Sequence, residues 1–179
     1  MSSHGKFAIK ARMAILTVAA FLASNVAAAP PKDPCALLKP AEIQALAPSA
    51  TIGSGVASMD TLALGASCVY TWGPRSDKWG DSQLTITVLD TSKAYPGMGA
   101  DVLVQGMLAL VKTGGPNASI ISGVGDAAAF TFEDRVSTAT AQAYFATKGV
   151  QVSLAFHGGD ALSSKDKLAA LLREAAGRL

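Results

Sequence analysis

The chain has 179 residues, half of them hydrophobic, with 15 basic residues against 13 acidic ones and two histidines. Three of the basic residues (Lys6, Lys10 and Arg12) and none of the acidic ones fall in the first 28 positions, so 12 stand against 13 beyond them, a net charge of −1. A near-neutral chain with no Lys/Arg cluster lacks the concentrated positive face that nucleic acid demands.

The N-terminal 28 residues read as a secretory signal peptide. Lys6, Lys10 and Arg12 form a positive n-region, and an apolar h-region runs from Met13 to Ala23. Eleven apolar residues are too few to cross a bilayer, which takes about 20. Small residues follow at Val26-Ala27-Ala28-Ala29. Cleavage after Ala28 places Val26 at −3 and keeps Pro30 away from +1, so the mature chain is expected to start at Ala29 or Pro30. The other reading of this stretch is an uncleaved amphipathic or membrane helix. Residues 29–34 form a proline-rich extended lead-in, and 35–179 form a single domain, large enough for a real core.

Cys35 and Cys68 are the only cysteines, and both lie beyond the leader. Export takes them to an oxidising compartment, where an even count reads as a disulfide. Lipidation of Cys35 is the alternative. It requires a small-residue lipobox beside the h-region, whereas Asp33-Pro34 precede this cysteine.

The mature chain then divides by periodicity. Pro40–Ala47 predicts a short helix, with Pro in the first turn and Ile43 and Leu46 on one face. Residues 50–57 predict a weak edge strand. Ser67–Trp72 is a β-type run, and Gln83–Leu89 alternates, with Leu84, Ile86 and Val88 opposite Thr85 and Thr87. From Gly99 to Lys112 the period becomes helical, through Leu103, Met107, Leu110 and Val111. Three β-type runs follow, Ser119–Ile121, Ala127–Phe132 and Thr138–Thr147. Lys148-Gly149 is a two-residue hairpin signal, and Val150, Val152, Leu154 and Phe156 return on alternate positions. Leu168, Leu171, Leu172 and Ala175 define a closing helix. The order predicts an α+β fold, a mostly antiparallel β-sheet with helices packed on its faces.

Chemistry-bearing patterns are few. His4 lies in the leader, which leaves His157 as the one mature histidine, at a strand end. Gly123-Val124-Gly125-Asp126 lacks both the third glycine of a dinucleotide turn and the Gly-Lys-Ser/Thr of a P-loop. It reads as a tight connection with glycines at positive φ and Asp126 bonded to nearby amides. Glu133-Asp134-Arg135 reads as a solvated loop tip. Trp72 reads as core near the disulfide, and Trp79, in the polar segment 75–81, as a possible contact residue. Nothing here calls for a cofactor or a metal, and no catalytic residue stands out.

Several landmarks fall in order: Asp33-Pro34-Cys35-Ala36-Leu37-Leu38, Pro40-Ala41-Glu42-Ile43, Gly65 to Cys68 with Tyr70 and Trp72, and Gly123-Val124-Gly125-Asp126-Ala127-Ala128 before a strand. Together they resemble a family of small bacterial envelope proteins defined by a domain of unknown function, number 3558. The resemblance implies a PsbP-like α/β/α sandwich and supplies no catalytic residues. Members are often lipoproteins, but the lipobox is missing here, so no membrane anchor is carried over. The expectation is a periplasmic or secreted, non-enzymatic accessory or binding protein, whose partner is another envelope protein or a small apolar ligand. The alternative is a small periplasmic hydrolase using Asp126, Glu133 or His157.

Overall fold

The computed structural model describes residues 33–59, 64–73, 82–158 and 160–179. The expected leader and Trp79, together with the rest of its polar segment, lie outside the described residues. A short 3₁₀ turn at Pro34–Ala36 leads into α1 (Pro40–Ile43). Then come β1 (Val56–Met59), β2 (Gly65–Trp72), β3 (Ser82–Asp90), α2 (Thr91–Ala94) and α3 (Ala100–Thr113). The C-terminal half holds β4 (Ser119–Ile120), β5 (Ala127–Glu133), β6 (Thr138–Phe145), β7 (Val150–His157) and α4 (Lys165–Ala176). All strands join one antiparallel sheet in the order β1-β2-β3-β7-β6-β5-β4. The α+β class expected from periodicity is the class observed.

The differences are local. The first helix is a single turn, and Gln44 ties off the residues after it by donating to the carbonyls of Ala47 and Ala50 (both 2.6 Å). Between β6 and β7 the connection is a 3₁₀ turn, Ala146–Lys148, followed by Gly149 at φ 62°, rather than a two-residue hairpin. The turn α2 was not foreseen, because its four residues are too few to show a period.

Period-2 alternation gives the sheet two unlike faces. Cys68, Tyr70, Trp72, Leu84, Ile86, Val88, Val152, Leu154 and Phe156 are buried on the first face. Helix α4 covers it over β6 and β7 with Leu168, Leu171, Leu172 and Ala175, all buried, as the sequence pattern predicted. Trp72 is core, but its partner is Phe156, stacked at 5.7 Å and 15°. The disulfide lies four residues back along β2, roughly 13 Å away at strand rise.

The N-terminal segment covers the same face over β2 and β3. Cys35 is bonded to Cys68, with Cα atoms 5.1 Å apart. The Tyr70 hydroxyl donates to the Leu38 carbonyl (2.8 Å) and also approaches that of Cys35 (3.2 Å). Burial first, then the charges of Asp33 and Glu42, push its pKa upward. Gly55 crosses directly over this joint. A Cβ there would collide with the Cys68 sulfur and lie 2.6 Å from the Tyr70 ring, so only glycine fits. Arg178, just past α4, closes the layer. It donates to the Leu37 carbonyl (2.7 Å) and to both Glu42 oxygens (2.7 and 2.5 Å). The Arg178 bond and the Lys39 amide bring the Glu42 pKa down to about 2.

Candidate functional site: a groove between α3 and the polar sheet face

The second face of the sheet carries Ser67, Thr87, Ser153 and Gln142 in one cross-strand row, and Thr85, Ala155 and Thr140 in the next. These side chains bond partly among themselves. Ser67 Oγ and Thr87 Oγ1 are 3.0 Å apart, Gln83 Nε2 donates to Thr85 Oγ1 (2.9 Å), and Gln151 Nε2 donates to Gln142 Oε1 (3.0 Å). The last bond leaves the Gln142 nitrogen and the Gln151 oxygen with no protein partner among the described residues.

Helix α3 lies on this face and covers one side of it, over β5 and β6. Small residues on β5 let the helix approach: Met107 is buried against Ala127, Ala129 and Tyr144. Asp101 in the first turn and Lys112 in the last suit the helix dipole, and the Gly114 amide bonds the Leu110 carbonyl at 2.7 Å. The rest of the helix is too apolar for a solvated surface. Met98 just before it, and Val102 and Leu110 on it, are 54%, 57% and 37% exposed. Leu110, which shares the helical period with Leu103 and Met107, lines a groove with them while only Met107 is buried, because α3 is apolar around more than one face and periodicity alone cannot choose which one is buried.

The groove holds about 510 Å³. One wall is Val102, Leu103, Gly106, Met107 and Leu110, the floor carries Gln142 and Gln151, and Tyr95 and Met98 lie beside them. Tyr95 is placed by the turn α2, where Asp90 caps the helix through the Ser92 amide (3.0 Å) and hydroxyl (2.6 Å). That hydroxyl bond keeps the Asp90 carboxyl below the usual range. Thr91 anchors the turn to the Gly149 carbonyl (2.8 Å). Among the described residues, no charged side chain lines the groove. A wider hollow of about 750 Å³ lies beside Trp72 and Phe156, with a rim that includes Gly73 and Ser82, where the described chain breaks off.

The residues of the hydrolase alternative are not gathered. Asp126 precedes β5 and Glu133 ends it, roughly 23 Å apart at strand rise. Glu133 and His157 share a row through Thr138, two strand spacings or about 10 Å apart. His157 is a hydrogen-bonded strand-end residue, its Nδ1 3.2 Å from Thr138 Oγ1. Asp126 sits in the glycine turn that the sequence predicts and bonds a backbone amide. Gly123 and Gly125 take φ of 74° and 58°, and the carboxylate accepts from the Ala146 amide (2.6 Å). Among the described residues, no three His, Cys, Asp or Glu side chains gather into a metal-ligand set.

Gln142, Gln151, Tyr95, Met98 and Gly106 escaped sequence reasoning. One signal was present: a glycine inside an otherwise clean helical period, which is tolerated at a cost of about 1 kcal/mol and invites a reason. No protein-family model, no curated protein and no solved structure matches this chain.

Proposed function

We propose that the chain is an exported, non-enzymatic binding or accessory protein of the cell envelope, periplasmic or secreted, working through the groove between α3 and the polar sheet face. One observation carries this reading: an uncharged groove of small-molecule size, with an apolar wall and a carboxamide floor. The disulfide and the leader-like N-terminus support export, and no described helix is long and apolar enough to cross a membrane. The separation of Asp126 from Glu133 and His157 favours binding over hydrolysis, since acid–base partners must lie within hydrogen-bond reach of one reacting group. The resemblance to the envelope family belongs to the same proposal. Complementation of a deletion strain tests it. The His157→Gln variant is expected to restore the wild-type effect and Gly106→Leu to lose it, with both folding normally. Loss of the effect in His157→Gln alone would overturn the reading in favour of chemistry at His157.

A further inference from the structure

Resting on that reading, we infer that the groove takes an uncharged single-chain amphiphile, its aliphatic chain along α3 and a hydroxyl-bearing head on the Gln142–Gln151 pair. Three observations converge on this class of ligand. The first is hydrogen-bond complementarity. The Gln142 nitrogen is a donor and the Gln151 oxygen an acceptor, on two side chains bonded to each other, and neither atom has a protein partner among the described residues. A hydroxyl is both donor and acceptor, so one such group satisfies the pair.

The second is charge. With no ionised side chain in the lining among the described residues, a carboxylate or ammonium would lose hydration without gaining a counter-charge from them. A neutral head avoids that loss. The wall opposite is aliphatic, and Met98 and Met107 supply flexible, polarisable contacts that adapt to a chain.

The third is Gly106. A Cβ built there meets nothing within 4 Å, so the helix does not need glycine in order to pack on the sheet. Its bare backbone instead deepens the groove midway between Val102 and Leu110. The small lining argues against a protein occupant, since a standard protein interface takes roughly 20–30 residues from each side.

The test compares 1-decanoylglycerol with decanoate, each below its critical micelle concentration, and with glycerol alone. Binding is followed by amide and carboxamide NMR shifts on the purified protein. Decanoylglycerol is expected to shift the Gln142 and Gln151 side-chain amides and the Gly106 amide. Decanoate is expected to bind at least about tenfold more weakly, and glycerol not measurably. Gly106→Leu should abolish the shifts without lowering the melting temperature. Gln142→Leu combined with Gln151→Leu should remove the preference for the neutral head while leaving chain binding in place. Equal or tighter binding of decanoate overturns the neutral-head inference and leaves the groove reading standing. If no amphiphile binds and Gly106→Leu still loses biological effect, the ligand class is wrong but the site is right. If no amphiphile binds and Gly106→Leu is silent in complementation, both the inference and the functional reading fall.

Discussion

The two faces of the sheet are built from the same strands, yet α4 and α3 meet them in opposite ways. Over β6 and β7, α4 buries Leu168, Ala169, Leu171, Leu172 and Ala175 against an unbroken apolar layer. The N-terminal segment completes that layer and is held by a disulfide, a tyrosine hydroxyl and the Arg178–Glu42 pair. On the opposite face α3, two residues longer than α4, fully buries only Met107 and leaves Val102 and Leu110 open in a groove shared with Gln142 and Gln151. The first face has matched apolar surfaces and is covered by α4 and the N-terminal segment, apart from the hollow beside Trp72 and Phe156. On the second, an apolar helix edge meets a polar sheet, and neither satisfies the other. Stability therefore concentrates on one side of the molecule, and unspent binding capacity on the other.

The largest effect that would sharpen this contrast comes from cutting Cys35–Cys68. Replacing both cysteines by serine is expected to lower stability by roughly 3–4 kcal/mol on the chain-entropy estimate for a loop of this length, read as a shift in the chemical denaturation midpoint. A loss under about 1 kcal/mol would mean that the N-terminal cover is held by Tyr70 and its packing instead. Next comes a matched pair of truncations. Leu172→Ala should lose about 3 kcal/mol as an enclosed cavity opens, whereas Val102→Ala, more than half exposed, should stay within about 0.5 kcal/mol. Comparable losses from the two would break the comparison, because they would show that the groove face is as tightly packed as the core.

The smallest effect is electrostatic and depends on pH. Glu42 titrates lower in the folded chain, at about 2, than the ordinary value near 4.5. Its contribution is therefore fully present above about pH 5 and is lost as pH falls through 4.5 toward 2. Screening at this exposed pair keeps the contribution small. The stability gap between the wild type and Glu42→Gln should accordingly close on acidification. A gap that stays constant from pH 6 to pH 2 would remove the ion pair from the account.

By itself the sequence determined whatever depends on short-range pattern. Leu84, Ile86 and Val88 alternate with Thr85 and Thr87, and a pleated strand can send such a row only to opposite faces. Leu168, Leu171, Leu172 and Ala175 fall on one helical stripe and nowhere else. Two cysteines leave one intramolecular pairing to make, and Gly123 and Gly125 beside Asp126 describe a turn. Tertiary structure alone decided what depends on partners distant in the chain. The β3–β7 pairing joins the two halves of the molecule, and no local signal encodes a strand's non-sequential neighbour. The alanines of β5 carry no period to read, yet their smallness is what admits α3. Helix α3 is apolar around much of its circumference, so its buried side was chosen by the sheet it met and not by its own residues. The groove exists for the same reason: Gln142, Gln151 and Gly106 are unremarkable in sequence and become a site only where two surfaces of unlike polarity are forced together.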